Sequence, residues 1–244
     1  MIVYPAIDLK GGQCVRLVQG DMAQATVYGT DPAAMARSFA AQGAQWLHVV
    51  DLDGAFAGDS RNLTAIAAIV AAAGLPVQVG GGLRNMAHLE RMLGEIGAAR
   101  AILGTAALRD RAFLSEAVGR WGTERIAVGI DARDGRVAVN GWAELTDQTP
   151  IALASEVAAL GLRTIVYTDI SRDGMLSGPN FEATARLITE TGLDVILSGG
   201  VGAPEHVRRA KEIGAAGAIV GKAIYTGAVD LKDAIALGGQ DADL

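Results

Sequence analysis

The chain has 244 residues, with 50% hydrophobic, 20% charged and 5% aromatic content. That is enough aliphatic material for a large core and too little polarity for a disordered chain. One cysteine, Cys14, excludes an internal disulfide framework and favours a reducing, cytosolic setting. A net charge of -6, with no run of Lys or Arg, argues against a nucleic-acid surface, so an anionic ligand would have to be held by local devices. The opening residues Met1 to Ile7 lack the basic start and cleavage pattern of a signal peptide. The longest apolar stretch, around Ala65 to Val77, is broken by Gly74 and Pro76, which leaves no membrane span.

Short β-branched runs recur along the chain. They are Ile2–Ile7, Trp46–Val50, Val77–Val79, Ala101–Leu103, Ile126–Ile130, Thr164–Tyr167, Val195–Leu197 and Ala218–Val220. Segments with helical spacing alternate with them: Pro32–Gln42, Asn62–Ala73, Met86–Ile96, Arg111–Trp121, Pro150–Leu160, Phe181–Thr191, Pro204–Ile213 and a last one near Asp230–Ala236. Pro32, Pro150 and Pro204 stand where a first helical turn begins, which suits their fixed φ and missing donor. Alternation of this kind predicts a parallel sheet with helices outside it.

Internal matches sharpen the prediction. Ile7-Asp8 aligns with Ile130-Asp131, Gly43–Asp51 with Gly161–Asp169, and Gly81-Gly82 with Gly199-Gly200. The later Ile102-Leu103-Gly104 aligns with Ile219-Val220-Gly221. Separations of about half the chain predict two (βα)4 units closing into one (βα)8 (TIM) barrel. The halves would span about residues 1–122 and 123–237 of a single domain, with a polar tail at 238–244. In such a barrel the chemistry sits just beyond the C-terminal ends of the strands.

Glycines gather at those ends. Gly81, Gly82 and Arg84 follow the third run and Gly104-Thr105 the fourth; Ser198, Gly199 and Gly200 follow the seventh and Gly221-Lys222 the eighth. Glycine lets backbone N–H groups approach a phosphate closely, and two such clusters on opposite sides of the mouth imply a ligand with a phosphate at each end. Asp8 and Asp131 end the first and fifth runs. Carboxylates there are partly desolvated, and a pair of them can divide acid and base roles. Asp51 and Asp169 form a second related pair, with Thr168 beside the latter to orient the substrate or tune the main acid and base. His48 reads equally as a buried, hydrogen-bonded residue or as a site residue. His88 and His206 fall in predicted helices and carry no assigned role. No Cys or His cluster calls for a metal, and no dinucleotide, Walker or nucleophile-elbow motif is present, so no cofactor is expected.

Taken together, several motifs resemble one family. Pro5-Ala-Ile-Asp-Leu9, Val15-Arg-Leu17, His48-Val-Val-Asp-Leu-Asp-Gly-Ala55, Gly80-Gly-Gly-Leu-Arg84, Thr168-Asp-Ile-Ser-Arg-Asp-Gly174, Ser198-Gly-Gly-Val201 and Ile219-Val-Gly-Lys-Ala223 resemble the phosphoribosylformimino-5-aminoimidazole carboxamide ribotide isomerases of histidine biosynthesis. The resemblance implies a cofactor-free Amadori rearrangement of a bisphosphorylated ribonucleotide. It implies Asp131 as general acid, Asp8 as general base, and Thr168 and Asp169 in support. Substrate contacts would come from the glycine loops and from Arg16, Gly20, His48, Arg84, Gly174 and Lys222.

Other readings stay open on sequence alone. A bifunctional isomerase that also accepts phosphoribosylanthranilate resembles the pattern throughout, with Arg16 and Trp142 as the residues to inspect. The sister imidazole glycerol phosphate cyclase usually carries a Cys-Leu-Asp motif where this chain has Ile7-Asp8 preceded by Ala6. A non-catalytic phosphometabolite-binding barrel gains nothing from two central carboxylates, and a Schiff-base aldolase would need Lys222 desolvated. Gly20–Thr30 and Asp134–Thr149 are expected to be lid loops. The oligomeric state is left open, with a monomer favoured because such barrels need no partner to complete the site.

Overall fold

A computed structural model describes residues 1–57 and 61–239. Among these residues, eight parallel strands close a barrel: β1 (Ile2–Lys10), β4 (Leu47–Asp51), β5 (Val77–Gly80), β6 (Arg100–Leu103), β7 (Ile126–Arg133), β10 (Thr164–Asp169), β11 (Asp194–Ser198) and β12 (Gly217–Val220). The ring closes twice over, by β12 against β1 (Pro5 opposite Val220) and by β7 against β10 (Asp131 opposite Thr168). Every predicted run lies in one of these strands except for Trp46, which precedes β4, and the α/β barrel is the observed fold.

Eight principal helical segments lie outside the barrel: α1 (Pro32–Ala41), α3 (Leu63–Ala73), α4 (Met86–Leu89) continuing as a π-helical turn to Glu95, α6 (Arg111–Trp121), α7 (Pro150–Ala159), α8 (Phe181–Thr191), α9 (Pro204–Glu212) and α11 (Leu231–Gly238). Their starts are written locally. Asp31 accepts from Ala34 N at 2.9 Å ahead of Pro32, and Thr149 Oγ1 from Ala152 N at 3.2 Å ahead of Pro150. Gly74 and Gly192 end α3 and α8 at φ 65° and 68°, a conformation in which a side chain is strained.

Two apolar layers result. One packs helices against the outer strand faces, with Ile7, Leu47 and Leu103 fully buried. The other fills the barrel interior with Tyr4, Ile102, Val166, Ile196 and Ile219, so the bore is a packed core.

Three features depart from the expectation. The lid loops are hairpins: β2 (Gln13–Val18) with β3 (Asp21–Gly29) after β1, and β8 (Arg136–Val139) with β9 (Glu144–Leu145) after β7. Short helices α2 (Leu52–Ala57), α5 (Thr105–Arg109) and α10 (Lys222–Tyr225) follow β4, β6 and β12. The predicted tail begins late, because Gly238 closes α11; residues 240–244 lie outside the described residues. Among the described residues, no helix is long and apolar enough to cross a membrane.

Candidate active site

A cavity opens at the C-terminal ends of the strands, and it is lined by all the expected catalytic and substrate-contact residues except Asp169; the related Asp51 also stands outside the lining. Asp8 on β1 and Asp131 on β7 stand on diametrically opposite strands, since three barrel strands separate them in either direction round the ring. Burial pushes the Asp8 carboxyl up to about 6, against the pull of Arg16, whose Nη1 lies 2.8 Å from Asp8 Oδ2. A base of that pKa is ionised at neutral pH yet retains proton affinity.

Asp131 is also pushed up by burial, while hydrogen bonds from Trp142 and Thr168 pull it down. Thr168 reaches it because the two are direct partners in the β7–β10 ladder. Trp142 reaches it from the β8–β9 turn, where Asn140, Gly141 and Trp142 all have left-handed backbone (φ 56°, 64° and 72°). That conformation is costly for a bulky side chain and persists where the surroundings impose it. Here the Trp142 indole packs against the tip of the first hairpin so closely that a β-carbon on Gly20 would overlap the ring.

A third carboxylate, Asp173, completes the mouth and was not picked out from the sequence, although it stands in the quoted Thr168–Gly174 motif. It lines the cavity, is raised by burial, and faces the positive charges of Arg16 and Lys222. Its burial comes from the first hairpin docking onto its loop: Gln19 N donates to Asp173 O at 3.2 Å and Gln19 Nε2 to Ser171 O at 2.8 Å. Lys222 Nζ donates to Gly174 O at 2.9 Å from the other side.

The glycine clusters flank these groups. Gly81 and Gly82 (φ 98° and 74°) and Gly199 and Gly200 (φ 87° and 91°) take backbone conformations that side chains avoid. Their surroundings leave no space either. A β-carbon on Gly81 would overlap Asp51 O, one on Gly199 would come within 2.7 Å of Asp169 O, and one on Gly200 within 2.7 Å of Gly178 O. Arg84 reaches across the first cluster to Ala55 O, with Nη2 at 3.1 Å. Gly104-Thr105 and Gly221 line the same cavity, Ser198 sits at the end of β11, and Thr105 Oγ1 accepts from Asn140 N at 3.0 Å.

Asp51 and Asp169 serve the loops behind the glycines. Asp51 accepts from Gly54 N (2.9 Å), Arg61 N (2.8 Å) and Asn62 Nδ2 (2.6 Å); Asp169 accepts from Ser171 N (3.1 Å), Ser171 Oγ (2.5 Å) and Asn180 Nδ2 (2.8 Å). Matching positions thus make matching bonds in the two parts of the barrel. Asp53 lies in α2 and accepts from Gly11 N at 2.7 Å. His48 is buried and held neutral, its pKa pulled down to about 3 by burial and by Arg16. Gln78 Nε2 lies 3.1 Å from its Nδ1, and with the amide as donor the ring proton belongs on Nε2.

The model of the family described as "Histidine biosynthesis protein" matches residues 2–230. The chain belongs to that family. Its relatives include the 1-(5-phosphoribosyl)-5-((5-phosphoribosylamino)methylideneamino)imidazole-4-carboxamide isomerases of Symbiobacterium thermophilum, 53% identical over 99% of this chain and 98% of the relative, and of Sinorhizobium fredii, 52% identical over 97% of each. The protein of the same name from Syntrophomonas wolfei is 50% identical over 96% of this chain and 97% of its own length. In this histidine biosynthesis protein the quoted motifs contribute most of the residues that line the cavity.

Proposed function

We propose that this protein is the isomerase its relatives are named for, opening the aminoaldose ring of a phosphoribosylamino substrate and closing the account as the aminoketose by an Amadori rearrangement. The observation that carries the reading is one cavity holding buried carboxylates on opposite strands between two glycine clusters. Asp131 gives a proton to the ribose ring oxygen as the C1–O bond breaks to a protonated Schiff base. Asp8 then removes the C2 proton, and the electron pair forms the enolamine, which tautomerises to the ketose. The glycine loops and Arg84 hold the two phosphates, so the open-chain intermediate stays positioned between the acid and the base. Thr168 orients Asp131, and Asp169 acts through the Ser171–Asn180 loop as a positioning residue. The reaction draws on no metal or organic cofactor, and the setting we propose is the cytoplasm.

A second reading gives the acid role to Asp173, which is buried at the same mouth and raised in pKa by that burial. Steady-state turnover of the aminoaldose substrate named for the relatives decides between them. Asp8→Asn should lower kcat by about 10²- to 10⁴-fold, and so should the variant of whichever carboxylate is the acid. Substrate binding without turnover in the parent protein would sink the isomerase reading. Running phosphoribosylanthranilate beside it tests for the bifunctional alternative. The Schiff-base aldolase has less support, because Lys222 Nζ is committed as a donor to Gly174 O.

A further inference from the structure

The mechanism above leaves His88 and His206 without a part, yet both stand at the same place behind a glycine cluster. Each is the third residue of its helix, His88 after the Asn85 cap of α4 and His206 after Ala203 ahead of α9. His206 Nδ1 accepts from Gly202 N at 3.1 Å. Gly202 stands just ahead of the helix cap Ala203, so the imidazole reaches back from the first turn to take a loop N–H. His88 Nδ1 lies 2.9 Å from Gly82 O and 3.3 Å from Arg84 N, and Asn85 Nδ2 lies 3.4 Å from its Nε2. With the amide as donor to Nε2, the ring donates from Nδ1 to the Gly82 carbonyl.

These contacts fall on backbone with unusual rotational freedom of its own. Gly81, Gly82, Gly199 and Gly200 all have positive φ and no side chain to limit rotation of the adjoining peptides. A peptide is planar and trans, so holding the Gly82 carbonyl toward α4 turns the Leu83 N–H of the same unit the opposite way. Holding the Gly202 N–H fixes the peptide that follows Val201, and both Leu83 and Val201 line the cavity. The His206 ring stands beside the loop carrying Asp173, where a β-carbon on Gly178 would lie 3.2 Å from Nε2, and Gly178 N donates to Gly200 O at 2.9 Å.

We propose that His88 and His206 are paired positioning residues, each fixing one peptide of a glycine loop from the helix side and so setting the backbone donors offered to the two ends of a bisphosphate. The proposal rests on the bisphosphate reading given above. Neither imidazole exchanges a proton with substrate.

The test pairs titration of inorganic phosphate with steady-state kinetics on the aminoaldose substrate. His206→Ala should raise both the phosphate Kd and KM by about three- to tenfold, the worth of one net hydrogen bond, and leave kcat within about twofold. His206→Asn, whose Oδ1 can accept the same N–H, should return both to near the parent values. His88→Ala should give the same split through the other loop, and it serves in place of His206→Ala if that variant does not fold. Unchanged phosphate affinity in the alanine variants, or equal loss in His206→Ala and His206→Asn, overturns the proposal, as does a parent protein that binds no phosphate. Phosphate binding weakened by His206→Ala in a parent that does not turn over would sink the isomerase reading and leave the positioning role standing.

Discussion

The Arg16 guanidinium lies flat against Gly221, so close that a β-carbon on the glycine would overlap Nη2. The contact joins the first hairpin to the end of β12 and holds Arg16 Nη1 on the Asp8 carboxylate. Gly221 has a negative φ of -107°, outside the left-handed region, and its smallness makes room for the guanidinium. Gly221→Ala should therefore fold normally, with Tm within a few degrees of the parent, but lose about tenfold or more in kcat/KM as Arg16 is displaced. Calorimetry beside kinetics checks both halves, and a large drop in Tm would contradict the assignment.

Glycines 81 and 199 make the contrasting case. Their φ values of 98° and 87° and the carbonyls against them leave neither the conformation nor the space for a methyl group. Gly81→Ala and Gly199→Ala should each cost about 1–3 kcal/mol in urea unfolding and weaken phosphate binding together with stability.

The raised pKa of Asp8 fixes the acid limb of the pH profile. A general base works when ionised, so kcat/KM for the free enzyme should fall as pH drops through about 6, where the Asp8 carboxylate takes up its proton. An acid limb at the ordinary aspartate value near 4 would show that the base is a different or better solvated group.

Trp142 offers a way to move the alkaline limb. Its hydrogen bond lowers the pKa of Asp131, and the general acid must be protonated to act. Trp142→Phe removes the donor, so Asp131 should keep its proton to higher pH and the limb should shift upward. If Asp173 is the acid, the limb stays where it is and Asp173→Asn abolishes it.

Removing Asp51 tests the loop scaffold. It is fully buried and accepts from Gly54, Arg61 and Asn62, so Asp51→Ala leaves several donors without an acceptor. A loss of about 3–5 kcal/mol in unfolding free energy is expected, comparable to breaking one side of a buried polar pair.

The barrel was legible in the sequence because its strands are buried on both faces and read as unbroken apolar runs, such as Ile126–Ile130 and Val195–Leu197. The hairpins were not. β3 alternates between exposed and half-buried positions, pairs only with β2, and has the composition of a polar loop. Asp173 escaped notice for a related reason: no apolar run leads into it, and its burial is produced by Gln19 and Lys222 arriving from distant parts of the chain. Asp8 and Asp131 were found because each directly follows a buried strand segment. Asp169 satisfied the same rule, yet its carboxylate turns to Ser171 and Asn180, and a pattern of residue types cannot distinguish those two directions.

The pairing of β12 with β1 has a consequence for how the protein is made. Asp8 and Arg16 leave the ribosome early, whereas Gly221 and Lys222, which wall the same part of the cavity, emerge only after six intervening barrel strands. The Gly81–Arg84 side of the mouth is therefore made while the Gly199–Lys222 side is still unsynthesised. The Arg16 guanidinium then has no Gly221 to lie against until the last barrel strand has been made.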